Sequence, residues 1–141
     1  MTNSKRKGKE GELELARVLR TYGYDTRRGQ QYSGVNGDAD VVGLPGVHIE
    51  VKRYKTMTGA RLAAAIKQAE NDAPFNEVPA VFYREDRKDW RVCIVLAYLC
   101  MMASADAVPV ATLKQHVTMA LPDFMDVYKT WQEYRRGYHV D

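Results

Sequence analysis

The stretch DADVVGLPGVHIEVKRY, residues 38–54, predicts two short strands joined by a turn. Asp40 directly precedes the apolar pair Val41-Val42, so we expect the first strand to begin there. Leu44-Pro45-Gly46 is typical of a turn. Apolar and polar residues then alternate from Val47 to Tyr54, and this period of two predicts the second strand of a hairpin.

Strict alternation places the side chains of the second strand on two faces of the sheet. The apolar set is Val47, Ile49 and Val51, and the polar set is His48, Glu50 and Lys52. Asp38 and Asp40 are also two residues apart, so the hairpin would bring one of them beside Glu50. Two carboxylates at short range suit Mg²⁺, because hard cations prefer oxygen ligands. Such an ion can activate a water molecule and neutralise charge on a phosphodiester, and Lys52 would add a positive group beside the reacting phosphate.

An ordinary explanation competes with this one. A half-exposed strand with Glu and Lys on its polar face is common, so Glu50-Val51-Lys52 alone is a weak indication of catalysis. The first predicted helix, from Glu10 to Tyr22, adds a second observation, because Glu12 falls on its apolar face with Leu15. A carboxylate on that face has to be paired, protonated or bound to a metal. The alternative is that Glu12, in the first turn, reaches solvent and interacts favourably with the helix dipole.

The remaining pattern predicts an α/β fold in a single domain of 141 residues. Residues 1–9 are predicted to be a mobile basic arm, and 97–141 a C-terminal extension of unassigned role. The other predicted elements are a loop over 27–37, a helix over 59–73, strands over 78–83, 90–95 and 117–121, and a helix over 124–136. The order is α-β-β-α-β-β plus a C-terminal helix, which favours a mixed sheet flanked by helices.

Basic and amide side chains cluster around the candidate carboxylates, although the net charge is only +3. The candidates for contacts to a DNA backbone are Lys7, Lys9, Arg27, Arg28, Gln30, Gln31 and Arg53. The alternative for each is a solvated surface. Gln68 lies at the edge of an apolar helical stripe and either faces the site, where it would hold a water or phosphate, or lies in solvent. A single histidine, His48, makes a poor zinc site, so we interpret it as a bystander.

Several classes of protein are disfavoured. The two cysteines, Cys93 and Cys100, lie in an apolar stretch and form no C-x-x-C pair, which indicates buried thiols in a reducing compartment. The basic N-terminus lacks the apolar segment of a signal peptide, and the longest apolar run, Val92 to Ala103, is too short to cross a bilayer. We therefore expect a soluble protein with no membrane partner, in the cytoplasm of a bacterial, archaeal or phage-infected cell.

Four segments together resemble the PD-(D/E)xK nuclease superfamily, and in particular the Holliday-junction resolvases of archaeal and phage type. They are Lys7-Gly8 with GELEL at 11–15, RGQQ at 28–31, DVVG at 40–43 and IEVK at 49–52. The resemblance covers Lys5 to Trp90. It implies a restriction-endonuclease-like fold, and a metal site made by Glu12, Asp40 and Glu50 with Lys52 as a catalytic residue. It also implies that Mg²⁺ is the cofactor, with Mn²⁺ able to substitute.

One position departs from that family pattern: Ala39 stands where the signature has Pro. Asp38 therefore competes with Asp40 for the role of metal ligand. We favour Asp40, because it directly precedes the apolar pair of the first strand.

Three functional hypotheses follow. The first is a structure-selective DNA endonuclease, a Holliday-junction resolvase, that hydrolyses phosphodiesters through a metal-activated water. The second is a nuclease of the same fold that cuts flaps, ends or plain duplex. The third is a DNA-binding module without activity, against which the intact set of Glu12, Asp40, Glu50 and Lys52 argues. A resolvase is expected to be a homodimer, since a four-way junction and a two-fold dimer share their symmetry. The apolar stretch Val92–Met102 and the C-terminal helix either form that interface or belong to the monomer core.

Overall fold

The computed structural model describes residues 2–30, 39–104 and 113–137. Its helices are α1 (Thr2–Thr21), α2 (Gly59–Asp72), α3 (Leu96–Ser104) and α4 (Leu121–Gly137). Its strands are β1 (Arg27–Arg28), β2 (Val41–Val42), β3 (Val47–Tyr54), β4 (Val78–Glu85), β5 (Arg91–Val95) and β6 (His116–Ala120). They form one six-stranded sheet whose spatial order follows the chain. Only β3 and β4 pair in parallel, and the other neighbours are antiparallel. The predicted α/β fold with a mixed sheet is confirmed.

Helix α2 covers the face of the sheet that carries the polar side chains of β3. A parallel connection from β3 to β4 requires a crossover, and here the crossover is this helix. Thr58 caps it by accepting a hydrogen bond from the Arg61 N–H at 3.2 Å. Its buried residues Ala65, Ile66 and Ala69 pack in one cluster with Val81, Tyr83, Cys93 and Val95 of the sheet. His48 and Glu50 are each only 5% exposed as a result, so the strand face that looked open to solvent is buried.

The opposite face packs against α1 and α4. Leu15 and Leu19 of α1 and Phe124 of α4 are fully buried in the same cluster as Ile49 and Phe82. Close approach of α1 to β3 depends on Gly11, because a Cβ there would lie 3.1 Å from the Cβ of Arg53. The glycine therefore lets the helix lie directly against the strand, next to the position of Glu12.

The N-terminal helix begins at Thr2, eight residues before the predicted Glu10, so residues 2–9 of the segment predicted to be a mobile basic arm are helical. Apolar periodicity marks only the part of a helix that packs on the sheet, and the first turns of α1 have little apolar surface to reveal them. Polar contacts hold them instead. Arg6 and Glu10 form an i,i+4 ion pair at 3.0 Å, and Lys7 lies 3.0 Å from Asp86 in the turn after β4.

The C-terminal part completes the sheet and the core. Strand β6 and helix α4 are present with boundaries shifted by one to three residues from those predicted. Helix α3 was not predicted, because its sequence is apolar on every side and shows no helical period. Strand β1 was not predicted either, since two arginines pair with β2 through backbone atoms alone. Neither is visible as a pattern in the sequence.

The apolar C-terminal segments belong largely to the monomer core rather than to a free surface. Val92 and Ile94 of β5 and Tyr128 of α4 are fully buried, and the Tyr128 hydroxyl donates a hydrogen bond to the Pro45 carbonyl at 2.6 Å. Both cysteines are free thiols, and burial raises the pKa of Cys93 to about 12. Across the residues described, no helix has both the length and the apolarity needed to cross a membrane.

Candidate active site

Asp40 and Glu50 form a buried carboxylate pair where β2 meets β3. Val41 pairs with Ile49 in the antiparallel register, so Asp40 and Glu50 are the next facing positions. The two side chains lie close enough to share a hydrogen bond when one of them carries a proton, and they are 9% and 5% exposed. The pair is therefore held together at a single site, largely out of contact with water.

Burial is the main cause that raises the pKa of Glu50 to about 8, and the negative charge of Asp40 adds to the rise. The positive charge of Lys52 acts in the opposite direction, while Asp72 at the end of α2 raises the pKa further. Both effects are expected, because desolvation and a like charge each disfavour the ionised carboxylate. Near neutral pH the pair therefore favours a state with a bound proton, which a cation could replace.

Asp40 is also held by the backbone. Its Oδ2 accepts a hydrogen bond from the Val51 N–H at 2.8 Å. Strand β2 begins only at Val41, so the aspartate side chain takes the place of a strand carbonyl. This contact fixes the carboxylate. It also gives Asp40 a structural role, so a test of an Asp40 variant has to distinguish loss of folding from loss of function.

Lys52 projects from the same face of β3 and contacts two site residues. Its Nζ lies 3.7 Å from Oε1 of Glu50 and donates a hydrogen bond to Oε1 of Gln68 at 3.4 Å. Of the two alternatives for Gln68, the structure therefore favours the one in which it faces the site. Helix α2 thus both buries the carboxylates and supplies a polar contact that orients the lysine.

Glu12 lies beside this group and is paired with Arg28. The Arg28 Nε donates to Oε2 of Glu12 at 2.5 Å, and the Glu12 side chain is only 13% exposed. Burial raises the pKa of Glu12, the hydrogen bond from Arg28 lowers it, and the charges of Asp40 and Lys52 both act on it. The structure therefore brings all four predicted catalytic residues into electrostatic contact, and Arg28, although exposed, pairs with one of them.

The carboxylate oxygens of the site match part of what a divalent cation needs. Within residues 2–30, 39–104 and 113–137, no group of three His, Cys, Asp or Glu side chains is arranged to hold a metal ion. The compact donor set is the Asp40–Glu50 pair, since an oxygen of Glu12 is engaged by Arg28. This pair still fits Mg²⁺, which keeps several waters and is usually bound through one or two carboxylates plus substrate phosphates. It does not fit zinc, because His48 is directed toward Glu77, with Nδ1 3.7 Å from Oε1.

The candidate DNA contacts lie in different environments. Lys7 and Arg53 converge on Asp86. Lys9, Arg27 and Gln30 are exposed. Gln31 and Asp38 lie outside the described residues, so the preference for Asp40 over Asp38 stays a prediction.

Two contributions to this site were missed in the sequence, the Arg28–Glu12 pair and Asp72, and so was Asp86, which pairs with Lys7 and Arg53 away from it. The Arg28–Glu12 pair could have been predicted, because a carboxylate on an apolar helix face needs a cation partner and two arginines follow the helix. Asp72 and Asp86 carry no such signal, since acidic residues at helix ends and in turns are ordinary.

Fold and site together define an α/β protein with a buried carboxylate pair and a lysine on one face of a mixed sheet. No family model matches the chain, and no curated protein matches it significantly. Among solved structures, the chain is similar to Hjc from Archaeoglobus fulgidus, a Holliday junction resolvase from an archaeal hyperthermophile. The TM-score is 0.42 and the sequence identity is 20%, over 87% of this chain and 88% of that one.

Proposed function

We propose that this protein is a Mg²⁺-dependent DNA endonuclease whose ion is held by Asp40 and Glu50. The observation that carries the proposal is the burial of two adjacent carboxylates, with the pKa of Glu50 raised to about 8. Burying such a pair costs free energy, and apolar residues at the same positions would avoid that cost. A bound divalent cation would offset this cost, because it supplies positive charge beside the two buried carboxylates.

Each side chain has a distinct role in this proposal. Mg²⁺, if held there by Asp40 and Glu50, would act as a Lewis acid that activates water and neutralises charge on the phosphodiester. Asp40 presents a carboxylate fixed by the Val51 N–H, and Glu50 gives up its proton when the ion binds. Lys52 donates toward the negative charge that develops on the phosphate. Glu12 adds a third negative group beside the pair, with Arg28 as its counter-charge.

Metal binding is tested by calorimetry with Mg²⁺ or Mn²⁺ alone. We expect carboxylate-dependent binding to the wild type and its loss in Asp40→Asn and Glu50→Gln. The matched control is Asp123→Asn, which removes the same charge from an exposed position on α4. Equal binding by Asp40→Asn and the wild type would contradict the assignment. Absence of carboxylate-dependent binding in the wild type would favour the third hypothesis, an inactive DNA-binding module.

We propose more specifically that the substrate is a four-way DNA junction and that the enzyme acts as a homodimer. The support is the resemblance of the segments around Glu12, Arg28, Asp40 and Glu50 to resolvases, together with the symmetry shared by a junction and a two-fold dimer. The test is competition between a synthetic junction and a linear duplex of the same sequence. Selective cleavage of the junction supports a resolvase. Equal cleavage of both would leave a nuclease for other DNA.

Gln68 is expected to act as a positioning residue for Lys52. Replacing it by Leu keeps the size of the side chain but removes the acceptor at 3.4 Å, so we expect a fall in kcat of about fivefold to tenfold, as for the loss of one modest hydrogen bond. The melting temperature should change little, because Gln68 is exposed. In a Lys52→Ala background the same substitution should have no further effect. A full additional loss there would show that Gln68 does not act through the lysine, and Lys67→Gln is the matched control on α2.

A further inference from the structure

We infer that Lys7 and Arg53 form a binding site for a DNA backbone phosphate outside the catalytic centre, and that the Asp86 carboxylate occupies its place in the DNA-free protein. The inference rests on the proposed function in one respect: the phosphate is taken to belong to the DNA substrate. The protein would then bind DNA phosphates at two places, the catalytic site and the Lys7–Arg53 site, and Asp86 would oppose DNA binding at the second.

Two cations converge on one carboxylate at this place. Oδ1 of Asp86 lies 3.0 Å from Nζ of Lys7 and 2.5 Å from Nη1 of Arg53. The three side chains together carry a net charge of +1. A guanidinium and an ammonium group around one oxygen are also the donors that recognise a phosphate oxygen, and a carboxylate is the protein group closest to it in charge and acceptor geometry.

A cavity of about 370 Å³ lies beside this cluster. The other two acidic side chains that line it are neutralised by separate partners. Glu10 pairs with Arg6 at 3.0 Å, and Glu14 pairs with Arg84 and accepts a hydrogen bond from Trp90 Nε1 at 2.9 Å. The surplus positive charge therefore belongs to Lys7 and Arg53, next to a space large enough for a phosphate group.

The position of this cluster relates it to the catalytic residues. Arg53 directly follows Lys52 on β3 and projects from the opposite face, as alternation requires. Lys7 precedes Glu12 by five residues on α1, or roughly 7.5 Å along the helix axis. The elements that hold the catalytic side chains therefore also hold this cluster, so a DNA strand passing the end of β3 could contact both in a fixed register.

A structural explanation competes with this inference, and it makes a different prediction. Asp86 could serve only to join α1 to the turn after β4. Removal of its charge would then lower stability and leave DNA affinity unchanged. If Asp86 occupies a phosphate site, the same change should strengthen DNA binding, because it releases two cations for the DNA backbone.

The experiment measures binding of a short DNA duplex in EDTA, where no cleavage occurs, over a series of salt concentrations. For Asp86→Asn we expect affinity to rise by about fivefold to tenfold and the salt dependence to steepen by roughly one unit of log K per log salt. Asp86→Glu keeps the charge and should behave as the wild type. Asp126→Asn, an exposed acid on α4, removes the same charge far from the cluster and should change affinity less than twofold.

Lys7→Gln and Arg53→Gln provide the converse test, since each should weaken binding and reduce the salt dependence by about one unit. An Asp86→Asn variant that binds DNA no more tightly than Asp126→Asn would overturn the inference. If Asp86→Asn does not fold, an unchanged salt dependence in both cation variants would overturn it instead. Mg²⁺ binding and cleavage are measured separately, so a protein that passes these binding tests but binds no metal would refute the nuclease and keep the phosphate site.

Discussion

Asp40→Asn and Lys52→Ala should each lower kcat for DNA cleavage by about 10²–10³-fold, the loss typical when one charged or donor group at the reacting centre is removed. Asp40→Asn keeps an oxygen that can accept from the Val51 N–H and removes only the negative charge. Lys52→Ala removes the cation that lies 3.7 Å from Glu50. Both variants should still bind DNA within a few-fold of the wild type, because Lys52 acts on charge that develops in the transition state and Asp40 acts through the metal ion. Single-turnover cleavage of a junction measures the rate.

Charge-matched substitutions remote from the site provide the controls. Asp126→Asn and Lys129→Ala change exposed residues of α4 by the same charges, and both should cut at the wild-type rate. Circular dichroism establishes that the site variants are folded. If folded Asp40→Asn and Lys52→Ala cut as fast as the wild type, the proposed mechanism is wrong, whatever the substrate.

Glu50→Gln should make the metal-free protein more stable above neutral pH. Burial and Asp40 raise the pKa of Glu50 from 4.5 to about 8 in the folded chain, so the folded state holds this proton more tightly than the unfolded state. The resulting stabilisation is fully present below pH 4.5 and is lost as pH rises through about 8. Gln has no proton to lose, so the advantage of the variant should grow across this window and then level off, reaching on the order of 2 kcal/mol or more.

Urea unfolding in EDTA at several pH values across this window, and at one above it, measures the difference between the two proteins. Groups that titrate in both cancel from that difference. Glu70→Gln, on the exposed side of α2, is the matched control and should give no growing difference. Adding Mg²⁺ above the window should stabilise the wild type and leave Glu50→Gln unchanged, because only a protein that binds the ion gains from it. If the free energies of unfolding of the wild type and Glu50→Gln changed in parallel with pH, the raised pKa of Glu50 would be contradicted.

Local pattern was sufficient for the central elements. Alternation from Val47 to Tyr54 predicted β3 with the observed boundaries, and the alanine-rich stretch from Gly59 predicted α2 to within one residue. Asp40 lies directly before β2, as its position ahead of the apolar pair indicated. The sequence did not predict two elements, because their residues do not separate into an apolar face and a polar face. Helix α3 is apolar on every side, and β1 pairs only through its backbone.

The sequence by itself determined that Glu50 and Lys52 share one face of a strand, because a pleated strand alternates with a period of two. It also placed Asp40 directly before the neighbouring strand. Tertiary structure decided what surrounds them. Only the crossover of α2 shows that this face is buried rather than wet, and burial is what raises the pKa of Glu50. The pairing of Glu12 with Arg28 also depends on packing, since it joins side chains from a helix and a short strand. Alternation is a property of adjacent residues, whereas burial and charge pairing are set by segments far apart in the chain.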